Sequence, residues 1–143
     1  MKIVEPLAEK LVSERYRIVG ELSLYIDDSP FALYRALQRS QCANACYMNH
    51  VRDVKPISVQ KFRSYKSGQL EVPAYVAQSA LDAILREGFQ PESSMMQRIM
   101  IALLLTRRSV TEPAQITSYF PSHWPQKYVD MMVNLAKECV DVV

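Results

Sequence analysis

Residues 55–74 read KPISVQKFRSYKSGQLEVPA, and the fold turns on how they are punctuated. Pro56 removes a backbone donor and biases Lys55 away from helix. Ser58 is an N-cap residue, and Val59 to Ser67 then runs without a breaker until Gly68, the expected left-handed C-cap. Within this short helix Phe62 and Tyr65, with Ile57 ahead of it, form the buried set. Gln60, Lys61, Arg63, Ser64 and Lys66 form the outward set. Pro73 opens a further helix carrying Val76, Ala80, Leu81, Ile84 and Leu85 at helical spacing, and Gly88 closes it.

Working outward, Asp27-Asp28-Ser29-Pro30 offers cap oxygens followed by a first-turn proline, so a helix is expected from Pro30 to about Ser40. A second is expected from Cys42 to Asp53. Pro6 to Ile26 is ambiguous: Ile18, Val19, Leu22, Tyr25 and Ile26 fit a helical face, whereas Tyr16, Ile18, Leu22, Leu24 and Ile26 fit alternation with Gly20 as a bulge. Helix is preferred. Glu92 to Arg108 is apolar nearly all round and is expected to be buried. Thr111-Glu112-Pro113 opens a short helix ending near Phe120. Pro125 opens the last, with Tyr128, Val129, Met132, Val133, Ala136, Cys139 and Val140 on one face. The expected class is all-α, consistent with only three glycines in 143 residues.

With 49% hydrophobic residues the chain can bury a core, and a formal charge of +2 identifies no partner by itself. The distribution is more informative. Residues 50–68 carry Arg52, Lys55, Lys61, Arg63 and Lys66 against Asp53 alone, and Arg35 and Arg39 extend that face. No signal peptide or membrane-spanning run is read, and three cysteines form no disulfide framework, which suits a reducing cytoplasm. Cys42, Cys46 and His50, spaced four apart, share a helical face on which zinc or a Cys/His nucleophile is conceivable. A core face of small groups is the plainer reading. No phosphate loop or catalytic signature is present, so no enzyme and no cofactor are expected.

A short basic helix with buried residues behind it and polar ones in front has the form of a helix presented to the major groove. The pattern I57-S58-x-x-x-F62-x-x-Y65-x-x-G68-x-x-x-V72-P73-A74 resembles the recognition half of Cro/repressor-type helix-turn-helix proteins, most closely the prophage Cro-like branch. Tyr65 stands where that family usually has tryptophan. Arg52 and Pro56 stand where it has a small alanine and a glycine, so a longer connection between the two helices is expected. The resemblance implies a compact helical DNA-binding domain at residues 29–88. It also implies base-reading by Val59, Gln60, Lys61 and Ser64, and phosphate contacts from Ser58, Arg63, Lys66 and Gln69. Gln60 would pair with adenine through both amide atoms, and Val59 would pack on a thymine methyl.

On this reading residues 1–28 form an N-terminal helical arm and residues 89–143 a helical oligomerisation segment. The chain is then a transcriptional regulator binding double-stranded DNA as a homodimer. The plainest alternative is a solvated basic helix that happens to end in glycine. Another is a helical adaptor or chaperone that binds a protein through the methionine-rich helix 92–108, without DNA.

Overall fold

The computed structural model describes residues 1–26, 29–39 and 56–141. Among these it is all-helical. Helices α1 (Glu5–Glu14), α2 (Tyr16–Tyr25), α3 (Pro30–Gln38), α4 (Val59–Ser67), α5 (Ala74–Arg86) and α6 (Ser94–Leu105) follow in order. A 3₁₀ helix (Pro113–Tyr119) and α7 (Gln126–Glu138) complete the chain. The expected helix from Cys42 to Asp53, with the cluster Cys42, Cys46 and His50, lies outside the described residues.

The helix ends are made by local chemistry. Ser29 Oγ accepts from Phe31 N–H at 3.1 Å, with Pro30 in the first turn. Ser58 Oγ accepts from Lys61 N–H at 3.1 Å, and Ser93 Oγ does the same for Met96 N–H at 3.1 Å. Gly68 and Gly88 have φ of 80° and 92°, and no other described residue is left-handed. The short element after Thr111 is a 3₁₀ helix, and Gln115 Oε1 reaches back to accept from Glu112 N–H at 3.0 Å.

The ambiguous amino-terminal stretch resolves into helices. Arg15 ends α1 and begins α2, and there Ile18, Val19 and Leu22 are fully buried. Alternation fails because Leu24, which a strand would put inside beside Leu22, is 82% exposed. A single apolar cluster runs from Leu7 to Cys139, drawing on all three stretches that the sequence suggests as separate units. Helix α2 packs on α3, α4 and α5, while α1 packs on α6.

Helix α6 is the centre of that cluster. Ile99, Met100, Ile101, Ala102 and Leu104 are fully buried, covered by α1, α2, α5, the 3₁₀ helix and α7. The sequence correctly marks this helix as buried, but the chain itself supplies the cover, so no large apolar face of α6 is left over for a second copy. Helix α7 lays Met132 and Ala136 inward, and Cys139, which caps it, is buried as well. An antiparallel bridge between Ile3 and Val140, with Val4 N–H donating to Cys139 O at 2.9 Å, ties the two ends of the described chain together. None of the described helices is long and apolar enough to cross a membrane.

Candidate nucleic-acid interface

Helix α4 stands on Phe62 and Tyr65, which are 2% and 4% exposed and pack in the core that α2 and α3 share. Burial pushes the Tyr65 phenol above its ordinary pKa. At about 100° per residue, those anchors direct Gln60, Arg63 and Ser64 away from the core and place Val59, Lys61 and Lys66 on the flanks.

Accessibility follows that wheel except at Ser64, which the wheel turns outward. Ser58, Val59, Gln60, Lys61, Arg63 and Gln69 are exposed, with Val59 at 51%, whereas Ser64 and Lys66 are half-buried. Ser58 is occupied as the N-cap. Ser64 O accepts from Leu70 N–H at 3.1 Å, which draws the chain tightly back after Gly68. Lys66 Nζ lies 5.2 Å from the Phe62 ring centroid, and Lys61 Nζ 5.8 Å from that of Tyr65. These lysines drape over the anchors. Arg63 makes no ion pair with a described residue. Six of the residues expected from the sequence to meet DNA are therefore exposed, and Ser64 and Lys66 are held back. Arg35 and Arg39 are exposed on and just beyond α3, which packs beside α4. Arg52 and Lys55 lie outside the described residues.

The structure adds a clamp that the sequence does not announce. At the junction of α1 and α2, Arg15 donates through Nε to Val72 O and through Nη2 to Glu71 Oε1 at 3.3 Å. Next to it the Tyr16 ring lies against Gly68, with Cδ1 3.4 Å from where a Cβ would stand. Residues 15 and 16 therefore hold the turn that follows α4 and set how α5 leaves it. Gly68 is needed for its positive φ, whereas a Cβ there would meet Tyr16 at ordinary contact distance.

A surface helix of this kind offers an amide that both donates and accepts, a guanidinium, ammonium groups, hydroxyls and one exposed valine. The described part of α4 carries no carboxylate. Among the described residues no group of three His, Cys, Asp or Glu side chains is placed to hold a metal ion.

In comparison with known proteins, a 92-residue stretch, 64% of this chain, is 26% identical to part of sister chromatid cohesion protein 2 of Saccharomyces cerevisiae. The matched stretch is only 6% of that protein's length. No established family profile matches the chain. No solved structure is similar to it.

Proposed function

We propose that this chain is a sequence-specific regulator that binds double-stranded DNA, in the manner of the Cro/repressor-type proteins it resembles, by placing α4 in the major groove. The observation that carries the reading is the one-sided build of α4. Gln60 sits at the middle of an outward face flanked by Val59, Lys61 and Arg63, and the helix is seated by buried Phe62 and Tyr65. Gln60 and Val59 read base edges, while Arg63, Ser58 and Gln69 take phosphates and fix the register. Exposed Lys61 uncurls from its ring to reach the duplex, an exchange that costs little because an exposed cation–π contact contributes only about 0.5–1 kcal/mol; half-buried Lys66 moves at a greater cost. Two copies engage a two-fold operator with half-sites one helical turn apart. Since α6 is covered from within, pairing falls to the outer surface of the molecule, where α7 exposes Met131.

Binding of another protein through the methionine-rich helix has less support, because Met96 and Met100 of α6 are core residues and Met95 packs on the core. The partial likeness to a cohesion protein favours neither reading at the level of residues.

The test is selection of bound duplexes from a random pool by the full chain, followed by sequencing. An enriched motif with two-fold symmetry is expected. Recovery of a pool with no sequence preference sinks the proposal.

A further inference from the structure

At the end of α5 remote from α4, the chain forms an open cleft of about 610 Å³ between α5, the C-terminal end of α6 and the loop after the 3₁₀ helix. That volume lies in the range of small-molecule sites, about 300–1,000 Å³. Its rear is a built polar network. Arg107 donates through Nε to Gln78 Oε1 at 2.8 Å and through Nη2 to Asp82 Oδ1 at 2.6 Å. Gln78 in turn donates to Leu103 O at 2.7 Å and to Thr106 Oγ1 at 3.1 Å. The guanidinium lies 4.5 Å from the Tyr119 ring centroid, and the Tyr119 hydroxyl is pinned by Ser109 Oγ at 2.5 Å.

Two features of this arrangement point to a ligand. First, the Arg107–Asp82 pair has side chains only 10% and 12% exposed. A pair so withdrawn from water seldom repays its desolvation in stability, so its presence at the back of an open cleft calls for another reason. Second, Arg107 is held on three sides, while Nη1 makes no hydrogen bond with a described residue and is not among the buried orphaned atoms. Arg107 itself lines the cleft beside its partners Gln78, Asp82 and Tyr119.

The walls define the ligand chemistry. Tyr119 and Phe120 supply aromatic surface, and Phe120 is backed by Trp124 at 4.8 Å between ring centroids. Arg86 and Arg108 also line the cleft and form no ion pair with a described residue. Against Arg86, Arg107 and Arg108 stand only Asp82 and Glu87, and Asp82 is committed to Arg107. The cleft is therefore net cationic and aromatic, with the Arg107 side chain fixed before any ligand arrives.

We propose that this cleft binds a small molecule made of a planar ring bearing one anionic group. The ring lies against Tyr119 and Phe120, and the anion is met by Arg107 Nη1 and Arg108. Little rotamer freedom remains to be lost at Arg107, which favours binding. This proposal is independent of the DNA reading, since its groups are not those of α4.

The experiment is an NMR titration of the full chain, without DNA, using naphthoate and adenosine monophosphate. Naphthalenemethanol and adenosine serve as the matching neutral rings. At least one anionic probe is expected to saturate with Kd below about 1 mM and to be at least about tenfold tighter than its neutral counterpart, as a charge-assisted hydrogen bond implies. Its shifts should map to Gly88, Tyr119 and His123, and the better anion shows whether the site takes a carboxylate or a phosphate. Arg108→Ala should weaken binding by about tenfold at unchanged melting temperature, because Arg108 is exposed and outside the network. Failure of both anions to saturate, equal binding of the neutral rings, shifts elsewhere, or an unaffected Arg108→Ala protein each overturns the site.

Discussion

Replacing Arg63 by Gln separates the proposed use of α4 from its stability. Arg63 projects from the outward face, exposed, with no ion pair to a described residue. No described residue leans on it, so the variant should unfold within about 0.5 kcal/mol of the parent. On DNA the loss is electrostatic. A cation at a phosphate releases condensed counterions and adds about 0.9 to the slope of log affinity against log salt. The variant's slope should therefore be shallower by about 0.9. Over a fourfold rise in salt, the parent should lose about three- to fourfold more affinity than the variant. Lys66→Gln is the informative contrast. Its ammonium lies 5.2 Å from the Phe62 ring and is half-buried, so the same change should also cost about 0.5–1 kcal/mol of stability. That corresponds to about 2–4 °C in melting temperature. Fluorescence anisotropy of a labelled duplex across a salt series reads the slope. Emission of Trp124, the single tryptophan and a buried one, reads unfolding. An Arg63→Gln protein with the parental salt slope refutes the reasoning: the outward face of α4 would not lie on phosphates.

Further outcomes are expected. Gln60→Ala should weaken specific binding by about 1–3 kcal/mol and relax preference at one base pair; a uniform loss across all sequences would remove Gln60 from base-reading. Gly88→Ala should destabilise the chain by about 1–2 kcal/mol in denaturant titration, because a Cβ there is strained at φ of 92° and would stand 2.7 Å from His123 Cε1. Unchanged stability would mean that neither the backbone nor His123 resists. Burial raises the pKa of the Cys139 thiol and of the Tyr65 and Tyr128 phenols. In the unfolded chain these groups ionise first as pH rises, so it binds fewer protons than the folded one. Their contribution is complete well below about pH 8.5, the midpoint of a free thiol, and declines from there through about pH 10 as phenols follow. Denaturation midpoints that stay level between pH 8 and 10.5 would contradict that sign.

Much of the helix map was legible because its signals are local. Ser58 caps Lys61 three residues on, Gly68 closes the same helix, and Ser29-Pro30 opens α3, so each boundary depends on atoms a few bonds apart. The outward and inward sets of α4 were legible for a similar reason, since helical periodicity alone separates Phe62 and Tyr65 from Gln60 and Arg63. Residues 16–26 were not decided that way. Their apolar side chains satisfy both periods, and burial of Ile18, Val19 and Leu22 against neighbouring helices selects the helix. That the run around Ile99–Leu105 is buried was written in its composition; that its own chain covers it was not, because cover comes from α1, α2, α5, the 3₁₀ helix and α7. Tertiary structure alone joined Arg15 to Val72, Tyr16 to Gly68, and Arg107 to Gln78 and Asp82. Such pairs obey no spacing rule: side chains far apart in sequence meet only after apolar burial has set the helix positions, and polar atoms then take the partners that arrive.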